Sequence, residues 1–212
     1  AIKFRLFSLR KALPAVAQNE DASVIGNEID RLEGIVQDFL QFARPTEPKL
    51  SKTEANRILE EVYKLLDPQL QKAAIELRLE SGEAAFMYAD AQQLKQVLIN
   101  LIQNSAESIG RNGTVTLGVR REIAELDSRM RPVAILAVKD TGKGIPPEIE
   151  ARLFDPFFTT KEEGTGLGLA FSARIVEKHG GLLRYETEVN RGTTFEIVLP
   201  AVQENANEHI VD

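Results

Sequence analysis

Asn100 and Asn104 in "NLIQNSAES" stand four residues apart, the spacing that puts two side chains on one face of a helix. Asparagine is a poor interior helix residue, so a pair beside an apolar stripe needs partners. A carboxamide oxygen is a hard neutral ligand of the kind Mg2+ accepts alongside water and phosphate oxygens. Asp140 closes the β-rich run "VAILAVKD" and is followed by Gly142 and Gly144 in "DTGKGIP". A carboxylate held in a pocket accepts a hydrogen bond from an exocyclic amine such as adenine N6, and the glycines let the backbone turn beside it. In "GTGLGLA", residues 164–170, three glycines recur at every second position, as expected where a backbone must bend sharply or approach a phosphate. A helix starting beside Gly168 turns its free N-terminal amides to the same place. Phe154, Phe157 and Phe158 form an aromatic cluster ahead of a polar, glycine-bounded stretch with the character of a mobile lid. Taken singly, the asparagines read better as caps on a neighbouring loop, and Asp-Thr-Gly as an ordinary turn.

The elements that must position these groups follow from periodicity. The helix from Gln92 to Ile109 has a continuous buried stripe of Leu94, Val97, Leu98, Leu101, Ile102, Ala106 and Ile109, and the asparagines lie along its edge. Asp90 stands before it with Gln93 three residues on, a capping-box arrangement. Residues 53–67 read as an amphipathic helix and 74–80 as an alternating strand. Further strands are expected at 114–121 and 133–140, linked by a charged loop, and a helix at 170–179. The last two strands are "LLRYETEV" and "TTFEIVLP", joined through "NRG". Helices and mostly antiparallel strand pairs in mixed order indicate an α+β fold, a two-layer α/β sandwich.

Two helices open the chain. One carries Ile2, Leu6, Leu9 and Leu13; the other, residues 23–43, carries Ile25, Ile29, Leu32, Val36, Phe39 and Ala43 close to a heptad seam. A hairpin this small cannot bury its own stripe, so it packs on a second copy or on the following domain. "RPTEPKLS", with two prolines, marks the boundary. The division is therefore 1–44 helical hairpin, 45–51 linker, 52–200 main domain and 201–212 poorly ordered tail.

Composition narrows the function classes. The chain of 212 residues has a net charge of −6 and no compact basic block, which argues against nucleic-acid binding. It has no cysteine, which removes disulfide and thiolate chemistry and is compatible with the cytoplasm. No apolar run approaches the ~18–20 residues of a membrane helix, so no membrane contact is expected. An Ala rather than a Met at position 1 reads as part of something longer.

"NLIQNSAES", "DTGKGI", "FDPFFTT", "GTGLGLA" and "RGTTFEIVLP" resemble, in order and spacing, the N, G1, F, G2 and G3 boxes of the sensor histidine kinase ATP-binding domain. The resemblance covers roughly residues 50–200 and extends to the GHKL superfamily, which includes gyrase, MutL and a chaperone ATPase. "FFTTK" and "QNSAES" are most similar to the nitrogen-regulation type. The resemblance implies the Bergerat-type ATP-binding fold, with ATP and Mg2+ as ligands, preceded by part of a dimerisation and phosphotransfer hairpin. It implies Asn104 as the Mg2+ ligand and Asn100 as its companion facing the phosphates. It also implies Asp140 as the adenine reader, with Gly142 and Gly144 shaping that wall. Gly164, Thr165, Gly166, Leu167 and Gly168 match the phosphate-side hinge of the lid, and Thr193 the threonine near adenine. Lys161 lies where the lid offers a cation to the γ-phosphate.

The reaction implied is phosphoryl transfer from ATP to a histidine, for relay to an aspartate on a response-regulator receiver domain, by a homodimer joined through the N-terminal helices. The alternatives are an ATPase clamp of the gyrase kind, and an ATP-binding pseudokinase or dimeric scaffold. Clamps of that kind resemble one another in a glutamate base four residues before the Mg2+ asparagine; Asn100 stands there and cannot take a proton. There are two departures. Glu107 stands where many family members carry a lysine. The acceptor histidine of the H-E-x-x-N-P box is expected roughly eight residues before Ala1, and His179 matches a structural position of the ATP domain.

Overall fold

A computed structural model describes residues 8, 11, 20–43, 46–161 and 164–202. The first expected helix, apart from Ser8 and Lys11, lies outside the described residues, as do Arg44, Pro45 and residues 203–212. Helix α1 spans Glu20–Ala43 and contains the expected heptad-like segment. Strand β1 (Ser51–Glu54) leads into α2 (Ala55–Lys72), then β2 (Ile75–Leu79), β3 (Phe86–Ala89) and α3 (Ala91–Ile109). The long strands β4 (Gly113–Leu126) and β5 (Arg129–Asp140) follow, then a single turn α4 (Pro147–Glu150) and α5 (Gly168–Lys178). Strands β6 (Leu182–Glu188) and β7 (Gly192–Pro200) complete the fold.

The main sheet has the order β2-β4-β5-β7-β6, with β2 and β4 parallel and every other pair antiparallel. Helices α2, α3 and α5 pack on one face of it, giving the expected two-layer sandwich. The α3 stripe Leu94, Val97, Leu98, Leu101 and Ile102 is fully buried against Leu117, Leu136, Val138 and Ile197. Burial of this kind contributes about 25 cal/mol per Å2 of apolar surface and is the main force orienting α3. With the stripe seated inward, Asn100 and Asn104 fall along its half-buried edge.

Four expectations about the fold need correction. Thr53 and Glu54 are not helical but belong to β1, which pairs antiparallel with β3, a strand that the periodicity of residues 87–90 did not reveal. Both strands are only four residues long, too short to show an alternation. Helix α2 runs past Asp67 and through Pro68 to Lys72, because Leu66 and Leu70 on the same stripe are buried and hold the last turn in place. The charged loop between the two central strands is itself mostly strand. The β4–β5 ladder continues out to Leu126↔Arg129 and closes through Asp127 and Ser128, at φ 54° and 59°, the left-handed pair that a two-residue hairpin turn requires. Leu126, Val133, Ile135 and Val198 form a small second cluster that accounts for this extension. The start of the tail is also ordered: Ala201 bridges to Met87, and the Val202 amide donates to the Phe86 carbonyl.

Candidate functional site

Helix α3 is placed at its start by Asp90, whose Oδ1 accepts from the Gln92 and Gln93 amides at 3.0 and 3.2 Å. The capping box is only half made. The Gln93 amide group reaches Thr46 instead, and the Asp90 N–H donates to His179 Nε2 at 3.0 Å. His179 is buried, and its Nδ1 lies 2.8 Å from the Ile175 carbonyl. With Nε2 accepting, Nδ1 carries the proton and donates. Both ring nitrogens are therefore committed to the structure, as expected of a structural histidine.

Asp140 ends β5 and is 3% exposed. Its Oδ1 accepts from the amides of Gly142 at 2.8 Å and Thr193 at 3.2 Å, and its Oδ2 accepts from the Ser105 hydroxyl at 3.1 Å. Burial pushes its carboxyl above the ordinary range, although the Gly142, Ser105 and Thr193 hydrogen bonds pull the other way. A Cβ on Gly142 would stand 2.3 Å from Ser108 Oγ, so only glycine fits against this helix. Ser108 in turn accepts from the Lys143 amide. Gly144 takes φ 68°, beyond which Thr187 Oγ1 accepts from the Ile145 amide at 2.8 Å and lies 3.0 Å from Thr193 Oγ1. Asp140 and Thr193, 53 residues apart, thus share one buried hydrogen bond.

The second half of the site joins α3 to the start of α5. Asn100 Nδ2 donates to Ser172 Oγ at 2.9 Å, and Asn100 Oδ1 lies within 3.4 Å of Asn104 Nδ2. A Cβ on Gly168 would stand 2.5 Å from Asn100 Oδ1, so the first turn of α5 sits directly on the asparagine. Gly166 has φ 66°, and its carbonyl accepts from the Phe157 amide. The Leu167 amide donates to Thr165 Oγ1, and the Leu167 side chain is buried. Gly164 follows on the far side of residues 162–163, which lie outside the described residues, and its amide donates to the Lys161 carbonyl. Lys161 Nζ donates to Asn104 Oδ1 at 2.7 Å and forms an ion pair with Glu107.

The three phenylalanines do not form one cluster. Phe154 packs on Tyr185, which also meets Phe195, whereas Arg152 lies over the Phe158 ring and Phe157 is exposed at φ 66°. A turn in which the Phe158 amide donates to the Asp155 carbonyl, with Phe157 at positive φ, separates them.

Of the singled-out residues, four meet α3 directly: Asp140 at Ser105, Gly142 at Ser108, Lys161 at Asn104 and Gly168 at Asn100, while Thr193 is joined to it through Asp140 and Gly144 lies against Glu188 and Val189. Sequence reasoning missed Ser105, Ser108, Thr187 and Ser172. Ser105 alone left a signal, a polar residue inside an apolar stripe; the others are identified only by what they touch.

The pattern fits a nucleotide in chemical terms. A buried anionic acceptor stands at one end, and at the other a carboxamide oxygen already holds a cationic group, the Lys161 ammonium. Asn104 Oδ1 is thus a donor atom suited to Mg2+.

Comparison with known proteins agrees. Residues 89–203 match the family described as histidine kinase-, DNA gyrase B-, and HSP90-like ATPase. Sporulation kinase C of Bacillus subtilis (strain 168) is 35% identical over 179 residues, which are 84% of this chain and 40% of that protein. The crystal structure of full-length ShkA in complex with AMPPNP superposes with a TM-score of 0.74 at 27% identity, covering 90% of this chain and 40% of that one. The structure of histidine kinase ThkA with response regulator protein TrrA gives a TM-score of 0.69 at 30% identity, over 87% and 51% of the two chains. The chain spans about two fifths of the length of the curated relatives it matches.

Proposed function

From the premise that this chain belongs to the histidine kinase-, DNA gyrase B-, and HSP90-like ATPase family, as a sensor histidine kinase catalytic core, we propose that it binds Mg-ATP and directs the γ-phosphoryl group to a histidine, for relay to a response-regulator aspartate. The observation that carries this reading is that Asp140, Lys161 and Gly168 all meet the helix of Asn100 and Asn104, with Thr193 bonded to Asp140.

Each group has a task its surroundings fit. Asp140, held by three donors, presents acceptor capacity to an exocyclic amine, with Gly142 and Gly144 keeping that wall thin and Thr193 bracing it. Asn104 offers its carboxamide oxygen to Mg2+, which when bound neutralises charge on the phosphates. Asn100 holds α5 through Ser172, so that Gly164, Thr165, Gly166, Leu167 and Gly168 present backbone beside the phosphate position. Lys161 supplies a cation beside Asn104. Asn100 cannot act as a base toward water, so the chain's own groups favour transfer over hydrolysis.

The proposal extends to partners. ThkA has been solved with a response regulator, and a receiver domain of that kind is the acceptor we assign here. Ile25, Leu32, Val36 and Phe39 are exposed along α1, a stripe suited to a second copy of the chain. Among the described residues no helix is long and apolar enough to cross a membrane. The reading carries a cytoplasmic site of action, where ATP is available.

The test is labelling with γ-phosphate-labelled ATP. The 212-residue chain should bind ATP, hydrolyse it slowly and leave itself unlabelled, while a helical hairpin carrying an H-E-x-x-N-P segment acquires an acid-labile, base-stable phosphate. Labelling of the chain itself at His179 would overturn the assignment, and rapid multiple-turnover hydrolysis would point to an ATPase clamp.

A further inference from the structure

Lys161 Nζ stands 2.7 Å from Asn104 Oδ1 and is ion-paired with Glu107, one turn further along α3. The atom best suited to a divalent cation therefore already holds a cation that belongs to the chain. A metal ion at ~2.1 Å from the same oxygen would leave a divalent and a monovalent charge within a few ångströms of each other, an arrangement that Coulomb repulsion disfavours. The two occupants exclude one another. A triphosphate carries its own replacement for the lost contacts, because its terminal oxygens can receive the displaced ammonium.

We propose that Glu107 and Lys161 form a latch over Asn104 which a metal-loaded triphosphate must open, so that Glu107 sets the apparent affinity for that ligand without touching it. The proposal rests on the ATP-site reading above and deepens it. Glu107 holds Lys161 by charge, and Asn104 serves as the second anchor. Only ligands that bring both a metal and a terminal phosphate compensate both anchors. A metal-free nucleoside diphosphate, held at the Asp140 end, leaves the latch shut. Both side chains of the pair are about half exposed, at 45% and 56%, so the latch is weak and screened by salt. A fractional closed population lowers apparent affinity in proportion to the closed fraction.

The test is calorimetry with Mg-ATP and with ADP in chelator, on the wild type, Glu107→Gln, Lys161→Met and the double variant. Glu107→Gln should bind Mg-ATP about two- to fivefold more tightly at low salt, the scale of an exposed pair. The gain should disappear at high salt and in the Lys161→Met background, where no latch remains. ADP affinity in chelator should be unchanged in Glu107→Gln, which also certifies the fold of that variant. Unchanged or weakened Mg-ATP binding by Glu107→Gln, or a gain that persists without Lys161, would overturn the latch while leaving the ATP site intact. A wild-type chain that binds neither nucleotide would remove both proposals.

Discussion

The Ser105 hydroxyl donates to Asp140 Oδ2 over 3.1 Å, joining the buried face of the asparagine helix α3 to the end of strand β5. Both residues are almost completely buried, at 1% and 3% exposure, so the bond lies where an unmade partner is expensive. It ties the helix of Asn100 and Asn104 to the carboxylate proposed to read the base, and a shift of α3 therefore moves both ends of the proposed site together.

Asp140→Asn keeps the shape but replaces an acceptor-only group with one that also donates. Adenine nucleotide affinity should fall by about 1.5–3 kcal/mol, the scale of a hydrogen bond to a charged group, and discrimination between ATP and GTP should narrow. Equal competition by GTP before and after the change would show that Asp140 does not read the base.

The same carboxylate predicts a pH dependence. Burial, opposed by its hydrogen bonds, leaves its pKa raised. The ionised form, proposed to accept from the base, is thus lost on acidification at a higher pH than for an ordinary aspartate. In terms of stability the sign is opposite to that of a salt-bridged carboxylate: the contribution is most favourable below the unfolded pKa and is lost as pH rises through the raised folded value. ADP affinity in the wild type should decline as pH falls from neutral toward the carboxylate range, with a shallower decline in Asp140→Asn. Parallel curves for the two proteins in calorimetric titrations would refute the link.

Asn104→Ala removes the oxygen assigned to the metal and leaves the Asp140 end untouched. Binding of Mg-ATP should weaken by on the order of tenfold or more, with a much smaller loss in chelator. Calorimetry under both conditions decides it, and equal losses would mean that Asn104 is not a metal ligand.

Gly168→Ala adds a methyl group 2.5 Å from Asn100 Oδ1, displacing the carboxamide from Ser172. The expected cost is about 1–3 kcal/mol of stability, typical of overpacking, accompanied by weaker nucleotide binding. Chemical denaturation measures the first and calorimetry the second. A wild-type midpoint would indicate that Asn100 swings aside freely.

Glu196 on the outer face of the sheet is paired with both Arg184 and Arg120, at 2.7 and 2.6 Å. Burial raises its pKa, but the two arginines outweigh burial and hold it below the ordinary glutamate range. Its stabilisation is therefore present above the unfolded pKa and is lost as pH falls through the depressed folded value. Glu196→Gln should cost about 1–2 kcal/mol near neutral pH and less in acid. A difference in denaturation midpoint that is constant with pH would contradict the assignment.

The spacing and facing of the site residues were legible along the chain because they rest on local rules, whereas their chemistry was implied by the resemblance to the boxes of the sensor histidine kinase ATP-binding domain. The stripe from Leu94 to Ile109 dictates which face of α3 is buried, and helical spacing then puts Asn100 and Asn104 on its edge. The recurrence of glycine at 164, 166 and 168 marks close backbone approach, and Gly168 indeed lies against Asn100. What depended on tertiary structure was every relation between segments far apart in the chain. Asp140 meets Thr193 because β5 and β7 are neighbours in the sheet, a pairing that no local pattern encodes. The β1–β3 ribbon and the passage of α2 through Pro68 were invisible for the same reason: burial of Met87 and Leu70 outweighs weak or contrary local propensity. Lys161, 57 residues from Asn104, could be read beforehand as a cation near phosphate, but its seat on Asn104 and Glu107 is decided only when the chain folds, since Coulomb attraction acts through space and not along the sequence.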